Sequence, residues 1–110
     1  IRFTSKWSAS RPPKFSQLYT IRSPMPEVSR FYGIVIQIYY GDHPPPHFHA
    51  LYADDIAKIA IETLQIIDGS IPKRALGLVL DWASAHQAEL RVAFERAASL
   101  QAPGRIAPLE

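Results

Sequence analysis

Between Val28 and Tyr40 most positions are aromatic or β-branched, the composition that packs best on a pleated surface. Ile34, Ile36 and Ile38 share one face, and Val35, Gln37 and Tyr39 share the other. Both faces are largely apolar, so the segment reads as one central strand, ended by the Gly41-Asp42 turn. Phe48 to Tyr52 begins a second strand, with His47 and His49 entering on one face and Phe48 on the other. Asp54-Asp55 reads as a turn, after which Ile56, Lys58 and Ala60 alternate with Ala57, Ile59 and Ile61. Leu64 to Ile67 reads as a short fourth strand before an Asp68-Gly69 turn. Short strands joined by tight turns predict an antiparallel meander.

After Ser70 the period changes. Ser70 can cap a helix whose early Pro72 has no amide hydrogen to lose. Leu76, Val79, Leu80, Ala83, Leu90, Phe94 and Ala97 then recur at intervals of three and four, and the phase survives Ser84 to Gln87. The pattern predicts one long helix from about 72 to 99, stopped by Pro103-Gly104. Such a helix would span ~40 Å, long for so small a sheet. Its last turns are expected to project, exposing Val92, Phe94 and Leu100 to a partner. The expected fold is α+β: three or four antiparallel strands packed by one long C-terminal helix.

Composition adjusts this picture in two ways. The formal net charge of +2 is unevenly shared. Residues 1–24 carry Arg2, Lys6, Arg11, Lys14 and Arg22 without an acid (+5), whereas residues 25–110 carry seven basic against ten acidic residues (−3). The arm shows neither helical nor strand periodicity, so residues 25–110 form the expected single domain, with Met25 as its native start. A basic arm with interleaved aromatics is also a way to touch nucleic acid, although the acidic body disfavours a nucleic-acid partner. Cysteine is absent, which excludes disulfides and thiolate zinc sites and suits a cytoplasmic location. The apolar runs fall far short of the ~20 residues of a membrane span, so no membrane partner is expected.

The candidate chemistry is concentrated in Asp42-His43-Pro44-Pro45-Pro46-His47-Phe48-His49. His47 and His49, two apart in an extended segment, project from one face with Cβ atoms ~7 Å apart. That spacing suits a shared metal ion, a phosphate or a catalytic water. If the prolines run as polyproline II, His43 stands ~12 Å from His47. Asp42 and all three histidines gather only if the triplet bends, most simply at a cis X-Pro bond. Three readings follow: histidines that merely stiffen the turn or meet a partner, a divalent transition-metal site (zinc or manganese), and metal-free acid–base or phosphate chemistry. A second group, Arg30, Tyr32, Tyr52, Lys73 and Arg74, could clamp an anion, Arg74 more readily than Lys73. His86 beside Glu89, four residues after Trp82, reads as a polar rim on a packed tryptophan or as an acid–base pair. No phosphate loop or serine-elbow motif is present.

Taken together, Met25-Pro26, Ser29 to Ile34, Tyr39-Tyr40, the Asp42-His43 and Pro45 to His49 core, Tyr52, Ile71 to Leu76, Trp82, His86 and Glu89-Leu90 resemble the small bacterial proteins grouped as domain of unknown function 4160. Asp81 and Ile71 depart mildly, standing where that family usually has Glu and Leu. The resemblance implies a compact α+β domain, often encoded beside a small DNA-binding-type protein as in toxin–antitoxin pairs. The leading expectation is therefore a small cytoplasmic protein that binds such a partner through the His-rich loop and the helix. The alternative is a metal-dependent or His-based hydrolase or ribonuclease built on His43, His47 and His49, with Asp42 orienting a histidine and Arg30 or Arg74 holding phosphate. A nucleic-acid-binding regulator is the third.

Overall fold

The structure, a computed structural model, describes residues 26–110. The expectations for the basic arm, residues 1–24, and for Met25 as the start lie outside the described residues. Five strands form one antiparallel sheet in chain order: β1 (Glu27–Phe31), β2 (Ile34–Gln37), β3 (His47–Tyr52), β4 (Asp55–Ala60) and β5 (Ile66–Gly69). Helices α1 (Lys73–Ala85) and α2 (Gln87–Ala98) follow. The α+β meander is as the pattern predicts, but three or four strands become five and one helix becomes two.

The extra strand comes from dividing the Val28–Tyr40 segment. Tyr32 (φ 50°) and Gly33 (φ 81°) form a two-residue turn that sets Phe31 opposite Ile34. Positive φ at both central positions matches the right-handed twist of the flanking strands. Apolar residues on both faces suit a central strand and a hairpin equally, which is why the pattern reads through the turn. The last strand also shifts. Leu64 adopts φ 60° in the connection, while Asp68 and Gly69 sit in the ladder opposite Lys58 and Ala57 instead of forming a turn. Only glycine fits there, because a Cβ on Gly69 would come within 2.1 Å of the Ile56 carbonyl oxygen.

Alternation sets the core. Ile34, Ile36 and Ile38 are fully buried with Phe48, Ala50, Ala57, Ile59 and Ile61. Helix α1 covers this face with Val79, Trp82 and Ala83, and the Trp82 ring lies 5.3 Å from Phe31 and 6.0 Å from Phe48. Each such aliphatic or aromatic side chain contributes about 1.5–3 kcal/mol when taken out of water. Ser70 is exposed and does not cap α1, whose N-cap is Pro72 with no side-chain bond.

The helix breaks at His86 (φ −127°, ψ 23°). The His86 amide bonds back to the Ala83 carbonyl, and its own carbonyl accepts the Leu90 amide that starts α2. Gln87 pins the break to the end of β4 by donating Nε2 to the Ile61 carbonyl at 2.7 Å. As a result α2 folds back over the strand ends and does not project. Phe94 is buried, so the expected docking face shrinks to Val92 and Leu100. The chain beyond α2 returns to β1, where the Ile106 amide bonds to the Val28 carbonyl and the Trp82 indole donates to Ala107 at 2.8 Å. No helix among the described residues is long and apolar enough to cross a membrane.

Candidate functional site

The proline loop between β2 and β3 is tied down on both sides. The Gly41 amide donates to the Ala97 carbonyl of α2 at 2.9 Å, and the Pro46 carbonyl accepts the Ile61 amide at 3.0 Å. Between these anchors the Pro44–Pro45 peptide bond is cis, and the chain doubles back so that Asp42 meets His47. His47 and His49 leave β3 on one face, as their spacing predicts, with rings in edge contact at 5.3 Å. One donor atom from each of Asp42, His47 and His49 lies within 4.8 Å of the other two.

The hydrogen bonds fix the roles of these atoms. His47 Nδ1 lies 2.7 Å from the Pro45 carbonyl oxygen, which can only accept, so Nδ1 carries a hydrogen. Its Nε2 then faces the Asp42 carboxylate at 2.7 Å. An imidazole lone pair and a carboxylate oxygen that close need a proton or a metal ion between them. His47 is buried against Phe94, with ring centroids 5.5 Å apart. His49 is also buried, stacked on Tyr39 at 3.9 Å and 7°, and its Nδ1 has no hydrogen-bond partner. Burial first, then the neighbouring His47 and Lys58, pull the His49 pKa down from 6.5 to about 4, against the opposing pull of Asp42 and Asp68. It is therefore a neutral imidazole with a free lone pair, the form a metal ion needs. Burial, then Asp42, raises the Tyr39 hydroxyl above its ordinary value. Asp42 is the member that reaches solvent, its side chain 23% exposed.

His43 does not join them. Its ring is exposed, and its backbone amide bonds to the Asp42 carboxylate at 2.9 Å. Arg30 is held by Glu27 at 2.7 Å, and Arg105 reaches the same carboxylate at 3.0 Å. Tyr32, Tyr52 and Arg74 do come together, but in a separate cleft of about 460 Å³ at the start of α1. Lys73 is exposed solvent-facing charge. His86 pairs with Glu89 and lies on Trp82, a polar rim on a buried indole. Tyr39 and Phe94 frame the histidines, and neither is marked as a site residue by the sequence pattern. The signal for Tyr39 is its parity with Gln37, whose strand partner is His49.

No curated protein and no solved structure matches the chain. A family model described as "Domain of unknown function (DUF4160)" matches residues 33–95, which take in the His-rich loop, α1 and α2 as far as Glu95. That match takes in more than half of the chain, which therefore belongs to the DUF4160 family.

Proposed function

We infer that Asp42, His47 and His49 bind one divalent transition-metal ion, zinc or manganese, and that the domain uses it for metal-assisted hydrolysis. The observation that carries this reading is the meeting of one carboxylate and two buried imidazoles within 4.8 Å, one imidazole nitrogen having no partner. Two nitrogens and one oxygen leave coordination positions for water, as catalytic sites do. An ion held there would acidify a bound water. The chain's own contribution is orientation: the Pro45 carbonyl fixes the His47 tautomer, Tyr39 fixes the His49 ring, and Phe94 closes the apolar side. His43 has no part in this version of the enzyme reading, and Arg30 and Arg74 lie outside the cluster.

Titration of the protein with zinc and manganese tests it. One equivalent should bind, and the His47→Ala/His49→Ala double variant should bind none while keeping its circular dichroism. Asp42→Asn should weaken binding by roughly 10- to 100-fold. A folded wild-type protein that takes up no metal ends the proposal.

A second reading, one member of a toxin–antitoxin-like pair binding a small protein partner, draws support from Val92 and Leu100, which remain 52% and 72% exposed. Leu100 borders the His-rich loop at Gly41. Val92→Asp/Leu100→Asp should then abolish co-purification with the protein encoded beside it, and unchanged co-purification would remove this reading.

A further inference from the structure

We propose that the cleft at the other end of the sheet binds a nucleoside monophosphate, its planar base between Tyr32 and Tyr52 and its phosphate on Arg74. The cleft lies where the β1–β2 turn, the end of β3 and the first turn of α1 meet. It shares no residue with Asp42, His47 and His49. Tyr52 follows the opposite parity along β3 and sits at the far end of that strand. At about 460 Å³, with Pro72, Ala75 and Leu78 as an apolar floor, it has the size and lining of a small-molecule site.

Three features point to this ligand. Tyr32 is 60% exposed and held at φ 50°, in a turn whose first central position favours Asn, Asp or Gly. An aromatic residue there strains the backbone and adds nothing to the core, so the fold itself gives no reason for the ring. The hairpin presents it over the cleft. The second feature is Tyr52, half-buried beside Gly33, where a Cβ would come within 3.6 Å of its ring. Two tyrosines at the mouth of an apolar floor offer a planar ring both stacking faces and edge contacts, and stacking accepts any base. The third is Arg74. Arg30, Arg91 and Arg105 each meet a carboxylate, whereas Arg74, like Arg96 in the last turn of α2, makes no ion pair or side-chain hydrogen bond among the described residues. Only Arg74 borders this cleft, and no acid occupies the first turn of α1. A guanidinium free to use its planar fork matches a phosphate in bidentate fashion.

Calorimetric titration of the whole protein with AMP, adenosine and ribose 5-phosphate tests the proposal. AMP should bind with a saturable isotherm, and each fragment, lacking either phosphate or base, at least tenfold more weakly. Tyr32→Asn is the decisive variant, because Asn suits the turn better than Tyr. It should raise the melting temperature and weaken AMP at least tenfold while leaving ribose 5-phosphate unchanged. Arg74→Gln should remove the preference for AMP over adenosine. Absence of saturable AMP binding, equal affinity for AMP and adenosine in the wild type, or unchanged AMP affinity in Tyr32→Asn would each overturn the assignment. Metal binding at Asp42, His47 and His49 can fail without touching any of these results, and the reverse also holds.

Discussion

Burial of His49 ties the stability of the metal-free domain to pH in a definite direction. Its pKa is 6.5 in an unfolded chain and about 4 in the fold. Above about pH 6.5 the ring is neutral in both states and contributes nothing. As pH falls from 6.5 towards 4, the unfolded chain takes up a proton that the native chain refuses, so stability declines through that window. Below it, both states are protonated and this residue causes no further loss. Melting temperatures recorded across the window should show the decline, and His49→Phe, which keeps the stack on Tyr39, should flatten it. An unchanged slope would locate the titration elsewhere. At this scale the sequence is most informative where geometry is local. The shared face of His47 and His49 follows from strand parity alone. The meeting of Asp42 with His47 depends on how three prolines turn, and composition does not state that. His43 has the same chemistry and proximity in sequence, yet it faces solvent. Tyr39 and Phe94 arrive from other elements, and only pairing and packing reveal them.

The break at His86 decides what α2 does. With a continuous helix, Phe94 would project into solvent; with the break, it closes the apolar side of His47. Phe94→Ala should cost about 3–5 kcal/mol of stability, the usual penalty for an emptied aromatic site, and loosen the His47 ring. Urea unfolding checks the first effect; under the proposed metal site, zinc affinity should fall at least tenfold, which checks the second. Loss of stability with metal affinity intact would separate α2 from the site. The periodicity could not have shown this break. Ala83, the last buried residue of α1, and Leu90, the first of α2, stand seven positions apart, nearly two turns of uninterrupted helix. One non-helical residue between them redirects the axis while preserving the phase. The Tyr32-Gly33 turn is the opposite case. Gly33 within an apolar run was visible evidence for a hairpin, and the aromatic beside it concealed the signal.

Across the whole molecule, the segment after α2 fastens the first strand to the first helix. Ile106 is buried, its amide joins the Val28 carbonyl, and the Trp82 indole depends on Ala107. Removal of residues 103–110 should therefore cost roughly 3 kcal/mol or more, from lost apolar burial and an orphaned indole donor. The melting temperature should drop by roughly 10 °C or more. Truncated protein that melts like the full chain would show that the clasp is dispensable. Pro103-Gly104 signals the end of a helix, but nothing in the sequence after it announces an edge-covering segment. The clasp has a consequence for synthesis. Glu27 and its partner Arg105 are 78 positions apart, so among the described residues this cover of the β1 edge forms only once nearly the whole domain has been made. On a polysome, an edge strand not yet covered can pair with neighbouring nascent chains. The interval before residue 106 emerges is when a chaperone would matter most to this protein.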